Sequence, residues 1–251
     1  MHVFALDFDG VLCDSAAESA VTAWRAGTRI WSDWQGLEPP PHCLSRFLAL
    51  RPLIETGYQT VLLLRLIELG HSDAVITERF SELSEQLLKE TDQPAAYLAQ
   101  LFGAARDEWI ARDLPGWLAR QRFYPKVLEP LINLPPESEW YILTTKQERF
   151  VQLLLAQAGI DVPAERIFGL ERDRSKEATL EHWLLNPAFS DSCFHFVEDR
   201  LATLLRVVER NRLATVQLYL ANWGYNTAEE RQRAQQHPRI TVWNSESFLM
   251  V

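Results

Sequence analysis

The 251 residues are 47% hydrophobic and 24% charged, the balance of a chain able to bury a substantial core as one domain, or as one domain with an insertion. A formal net charge of −9 excludes the broad basic footprint of a phosphate-tracking nucleic-acid binder, while leaving room for a small anionic substrate held by a few focused basic groups. The strongest apolar run, TVLLLRLIELG, is short and interrupted by Arg65 and Glu68, which excludes a membrane span there.

In chain order, residues 3–8 form an apolar strand that runs straight into Asp7, Asp9 and Gly10. Two carboxylates that close repel each other, and burying either without a partner is expensive. Ser15 stands three residues before Glu18, the spacing of a capping box, and small or apolar residues recur at helical intervals through Trp31. After the break GLEPPPHC, helical stretches are expected over 44–70, over 73–90 behind a Ser72 cap, and over 94–112 opening at Pro94. Nothing between about 15 and 123 alternates as a strand.

Beyond RFYPKVLEPL the pattern changes to short apolar strands alternating with helices. The strands are WYILTT, RIFGL, CFHFVED, ATVQLYLA and ITVW, and the helices include QERFVQLLLAQAG, KEATLEHWLL, LATLLRVVERN and TAEERQRAQQ. Such alternation predicts an α/β fold with a parallel, Rossmann-like sheet. The economical division is an α/β core over 1–15 and 124–251, with an all-helical cap domain inserted at 16–123. Hinges are expected near 13–16 and 122–126.

Cys13, Cys43 and Cys193 are widely spaced and lack a CxxC pair, which points to a reducing compartment and to small buried hydrophobes. With a strand beginning at once there is no room for a signal peptide, so a cytoplasmic location is expected. His195, between Phe194 and Phe196, reads as a packed core histidine, and Trp24, Trp31 and Trp34 read as core of the helical insertion.

Ligands of open α/β sheets collect at the carboxyl ends of the strands. At that edge stand Asp7, Asp9 and Gly10, then Thr144, Thr145 and Lys146, then Glu198 and Asp199, with Lys176 opening the helix between the last two sets. A calcium loop beginning at Asp7 would need a closing Glu and further oxygens, and VLCDSAAES does not offer them.

The order DxDGV, TTK, K and ED resembles the four motifs of the haloacid dehalogenase-like superfamily, over roughly 1–15 and 124–251, with a core most similar to phosphoglycolate phosphatases. The resemblance implies a Mg²⁺-dependent phosphatase of a small phosphorylated metabolite, working through an aspartyl-phosphate. Asp7 would be the nucleophile and Asp9 the general acid and base. Thr144 and Lys176 would complete the catalytic set, and Phe8, Gly10, Thr144, Thr145 and Lys176 would contact the phosphate. The metal ligands would come from Asp7, the backbone carbonyl of Asp9, and Asp199, with Glu198 acting through water or Lys176. Thr203, four residues beyond Asp199, stands where many relatives carry another aspartate.

Alternatives are a phosphomutase with the same two aspartates, and a catalytically silent binding protein on this scaffold. A dehalogenase would lack the second aspartate. Arg172 and Arg174 compete with Lys176 for its role, Lys146 reads equally well as a solvated residue, and WGYNT (223–227) carries no assigned part. Arg51 is a candidate contact for a second anionic group of the substrate, against the plainer reading of a surface ion pair. Neither the particular substrate nor the oligomeric state follows from the sequence.

Overall fold

Val3, Phe4, Ala5 and Leu6 are wholly buried, because strand β1 (His2–Leu6) has a neighbour on each side and side chains packed on both faces. A two-residue strand β2 (Cys13–Asp14) follows. The computed structural model describes residues 1–249. Two compact units are present: Met1–Asp14 together with the chain from Arg122 onward, and Ser15–Gln121.

The inserted unit is built from helices α1 (Ala16–Gly27), α2 (Pro41–Leu50), α3 (Gly57–Glu68), α4 (Asp73–Thr91), α5 (Ala95–Arg112) and α6 (Leu114–Leu118). The single helix expected over 44–70 is two helices. Pro52 sits in a short 3₁₀ turn after α2, and the Gln59 side chain accepts from the Glu55 and Thr56 backbone N–H groups to start α3 afresh. Val61 to Leu64, Leu66 and Ile67 are all buried, so the apolar run is the central helix of this unit. Trp24 stacks on Trp34 with ring centroids 4.1 Å apart, inside the same core, as expected of the tryptophans. Arg51 donates to the Ile54 carbonyl at 3.1 Å.

The Ser15 side chain makes no cap bond to α1, and Glu18 is engaged far along the chain. Its fully buried carboxylate accepts from Thr22 Oγ1 (2.6 Å), Arg106 Nε (2.8 Å), Arg106 Nη2 (2.8 Å) and Trp117 Nε1 (3.0 Å). A buried carboxylate needs such partners, and here α5 and α6 supply them. Ser72 does cap α4, accepting from the Val75 N–H at 3.4 Å.

The chain re-enters the α/β unit through β3 (Arg122–Phe123), which pairs antiparallel with β2: Cys13 faces Phe123 and Asp14 faces Arg122. Both strands of this pair belong to the first unit, whose bounds fall at 14/15 and 121/122. Then come α7 (Pro125–Ile132), β4 (Ser138–Leu143), α8 (Glu148–Gln157), β5 (Ile167–Phe168), α9 (Lys176–Leu184), β6 (Cys193–Glu198), α10 (Leu201–Val208), β7 (Gln217–Ala221), α11 (Ala228–Gln236) and β8 (Ile240–Trp243).

All pairings in the six-stranded sheet are parallel, in the order β5-β4-β1-β6-β7-β8. After β1 the chain lays β4 and β5 on one side, then returns to place β6, β7 and β8 on the other. That reversal opens a crevice at the carboxyl ends of β4, β1 and β6. Among the described residues no helix is long and apolar enough to cross a membrane.

His195 and Cys193 lie on β6, away from its carboxyl end. His195 is buried, its ring stacked 4.6 Å from Phe4, and burial first, then neighbouring His2, pushes its pKa down to about 4. Cys13 and Cys43 are buried as expected, but Cys193 is exposed, because it opens β6 at the solvent end of the sheet.

Candidate active site

Asp7 follows directly on β1, and its N–H donates to the Val197 carbonyl at 3.0 Å, extending the β1–β6 ladder one residue beyond the strand. The carboxylate is thereby held at the crevice with little freedom. Its Oδ1 accepts from the Phe8 N–H (2.7 Å) and lies 2.9 Å from Lys176 Nζ. Lys176 is the first residue of α9, and the Ser175 hydroxyl caps that helix by accepting from the Ala178 N–H at 3.1 Å.

A lysine there opposes the helix dipole. Here the cost is offset, because the same ammonium also lies 2.6 Å from Glu198 Oε2. Burial alone would lower the Lys176 pKa, but Asp7 and Glu198 together carry it above its ordinary value. Burial raises Asp7 to about 7, with Glu198 adding to the rise and Lys176 opposing it. Glu198 is raised by burial as well, again opposed by Lys176.

Glu198 ends β6 and Asp199 follows it, with both side chains buried. They face different tasks. Glu198 Oε1 accepts from the Asp199 N–H (3.2 Å) and the Arg200 N–H (3.0 Å), while Oε2 holds Lys176. Asp199 Oδ2 accepts from the Tyr225 N–H at 2.6 Å. One oxygen from each of Asp7, Glu198 and Asp199 lies within 4.8 Å of the others. Three buried carboxylates, two of them paired with the same lysine, leave an excess of negative charge and a set of hard oxygen donors, which fits a hard divalent cation such as Mg²⁺.

Asp9 points elsewhere. Its Oδ1 lies 2.9 Å from Lys146 Nζ, so this lysine is an engaged, buried residue and not a solvated one. The Asp9 side chain therefore stands outside the carboxylate cluster. Gly10 has φ +86°, and a Cβ there would fall 2.0 Å from Asp199 Oδ2. Its glycine requirement thus comes from the packing of Asp199 against the turn as well as from the backbone conformation.

Thr144 is buried at the end of β4; its N–H donates to Phe168 O (2.9 Å) and its Oγ1 accepts from the Lys146 N–H (3.2 Å). Thr145 is exposed and lines, with Thr144, Lys176 and Arg174, a cleft of about 250 Å³. Arg172 is engaged with Glu148 at 2.6 Å, and the lysine at the carboxylates is Lys176.

The segment Trp223–Asn226 after β7, without an assigned part in the sequence, clamps this edge. Besides the Tyr225 N–H on Asp199, Asn226 Nδ2 donates to the Asp199 carbonyl (3.0 Å) and Trp223 Nε1 to the Val11 carbonyl (3.0 Å). Tyr225 Oη donates to Asp14 Oδ1 at 2.7 Å. A Cβ on Gly224 would meet the Gly10 carbonyl at 2.4 Å, so the two turns touch through their glycines. Tyr124 is a further addition: burial, then Asp14 and Asp199, push its phenol pKa well above the ordinary value. The sequence signal for Trp223–Asn226 was its position directly after a strand at the carboxyl edge; Tyr124 carried none.

Neither a protein-family model nor a curated protein matches the sequence. Solved structures do match it. A predicted phosphoglycolate phosphatase from Haemophilus somnus is 16% identical with a TM-score of 0.58, over 98% of this chain and 96% of its own. A predicted phosphatase from Clostridium acetobutylicum is 14% identical with a TM-score of 0.56, over 96% and 93%. A haloacid dehalogenase-like family protein from Streptococcus pneumoniae is 13% identical with a TM-score of 0.53, over 98% and 95%. The chain therefore has the haloacid dehalogenase-like fold, as the motif order implied.

Proposed function

We propose that this chain is a Mg²⁺-dependent phosphatase of a small phosphorylated metabolite. The observation that carries the reading is the Asp7 carboxylate at the sheet's switch point, 2.9 Å from Lys176 Nζ and grouped with Glu198 and Asp199. In the first step an Asp7 oxygen attacks phosphorus, a P–O bond to Asp7 forms, and the P–O bond to the substrate alcohol breaks. Asp9 gives its proton to the departing oxygen. In the second step water attacks the aspartyl-phosphate, Asp9 takes the water's proton, and inorganic phosphate leaves with Asp7 restored.

Lys176 offsets the charge gathering on Asp7 and on the phosphoryl oxygens, and Lys146 orients Asp9. The hydroxyl of Thr144, with the backbone of Phe8 and Gly10 and the side chain of Thr145, is assigned to the phosphate. Phosphoryl transfer asks mostly for positioning and charge, which this set provides. Asp7, Asp199 and the backbone carbonyl of Asp9 would hold the magnesium ion, with Glu198 acting through Lys176. When bound, the ion supplies positive charge that lets the carboxylates and an anionic substrate share the crevice.

The names of the similar structures, two of them predicted phosphatases, agree with this reading. The test is a panel of phosphorylated metabolites incubated with Mg²⁺, following phosphate release. Release from at least one member, abolished by a chelator and by Asp7→Asn, is expected. A hexose 1-phosphate converted to its 6-phosphate isomer without phosphate release would establish a mutase instead. Full turnover in Asp7→Asn would overturn the mechanism.

A further inference from the structure

At the edge of the sheet opposite the carboxylates, His2, Cys193 and His195 form a second cluster of ligand atoms. One ring nitrogen from each histidine and the Cys193 Sγ all lie within 4.8 Å of one another. The register explains why. His2 pairs with Cys193 and Phe4 with His195 across the β1–β6 ladder, and the two-residue pleat puts Cys193 and His195 on one face of β6. Five residues of extended chain, about 16 Å, separate His2 from Asp7, so this cluster is distinct from the carboxylate crevice.

We propose that His2, Cys193 and His195 form a binding site for a zinc-class divalent ion. Two imidazoles and a thiolate are a borderline-soft donor set that prefers zinc or cobalt to magnesium or calcium. Three protein ligands leave a fourth tetrahedral position, and it faces solvent: Cys193 is exposed and His2 half-buried.

The two rings already approach to 2.9 Å between His2 Nδ1 and His195 Nε2, a distance bridged by one shared proton. Two nitrogens on one tetrahedral zinc stand about 3.3 Å apart, so an ion replacing that proton needs a shift of a few tenths of an ångström. The ring that had donated then carries its proton on the opposite nitrogen, and His195 presents Nδ1–H to Tyr219 Oη, now 3.1 Å away. Tyr219 thereby fixes the ring's tautomer and orientation, the role an outer partner plays for a ligating histidine. The thiol of Cys193 loses its proton to solvent, the one net proton released. Being exposed at the strand's first residue, its side chain can rotate to close the remaining gap.

The site is tested with cobalt(II) as probe, on the full chain, thiols reduced, with excess Mg²⁺ present to occupy the carboxylate crevice. Only a thiolate ligand gives the near-ultraviolet sulfur-to-cobalt absorption, so carboxylate-bound cobalt does not interfere. One equivalent should produce that absorption, and zinc should abolish it by displacement. Cys193→Ser should lose the band entirely, and His2→Ala should weaken cobalt binding at least tenfold. Both substitutions lie at solvent-facing ends of strands, and far-ultraviolet circular dichroism checks their folding. Absence of the band in the unaltered protein overturns the proposal. So does a band that survives in Cys193→Ser, which would belong to Cys13 or Cys43, or an unchanged cobalt affinity in His2→Ala.

Discussion

At the scale of single residues, Glu198 and Asp199 are adjacent in sequence yet bonded to different things, and this separates their expected effects. Asp199 is held by the Tyr225 N–H and packs against Gly10, whereas Glu198 uses both oxygens on Lys176 and two backbone N–H groups. Asp199→Ala should therefore raise the Mg²⁺ requirement steeply, and Glu198→Ala should cost about 10–100-fold in activity, the size of a change beside a ligand. Magnesium titrations of the two variants check the order, and a larger effect of Glu198→Ala would reverse the assignment. Asp7 supplies a pH test. Its pKa rises on folding from 3.8 to about 7, chiefly through burial, so the metal-free folded state binds more protons than the unfolded chain in that window. Stability without metal should then fall as pH rises from about 4 to 7, and be greatest, as far as this group is concerned, below it. A divalent cation removes the need for the proton. The increase in Tm given by Mg²⁺ should consequently grow between pH 5 and pH 7.5, as thermal melts at each pH would show; an increment that shrinks with pH would contradict this account.

At the scale of elements, the Trp223–Asn226 turn is what makes the end of β6 rigid. A Cβ at Gly224 would stand 2.3 Å from Asp199 Cβ and 2.4 Å from the Gly10 carbonyl, the base of one site side chain and the backbone of the neighbouring turn. Gly224→Ala should displace Asp199 and reduce activity at limiting Mg²⁺, with partial recovery as Mg²⁺ is raised. Tyr225→Phe keeps the backbone donor to Asp199 and loses the 2.7 Å bond to Asp14, so it should act more weakly. Equal losses in the two variants would mean that the phenol matters as much as the packing of the turn. The elements that sequence reasoning placed well were those with a clear period: the apolar strands and the amphipathic helices α8 and α10. Where a side chain had two outlets, local spacing misled. Glu18 satisfied the capping-box spacing, yet Arg106 and Trp117, 88 and 99 residues away, are its partners. Lys146 reads equally well as a solvated residue in the sequence, yet it is buried with its ammonium 2.9 Å from Asp9, 137 residues away. Such pairings depend on the folded topology and leave no local trace in the sequence.

On the scale of the whole chain, the motif order was legible because four short stretches must meet at one sheet edge, and the strand order that brings them there follows from βα alternation. Inside the helical unit the helices and the tryptophan core were legible, but long-range polar contacts such as the Glu18 cluster were not. That cluster gives a separable handle on the unit. Glu18 is fully buried, and Arg106 is held against it by two 2.8 Å bonds. Glu18→Ala leaves a largely buried guanidinium without its carboxylate and an indole N–H without its acceptor, a change that typically costs about 3–5 kcal/mol. Each unit contains a hydrophobic core, one centred on α3 and the other on the sheet and its covering helices. The penalty should fall on the first alone. Thermal unfolding of Glu18→Ala should then split into two steps, an early loss of helical signal that ignores Mg²⁺ and a later step whose midpoint rises with Mg²⁺. A single transition that moves as a whole with Mg²⁺ would show instead that the two cores unfold as one cooperative unit, with Glu18 stabilising both.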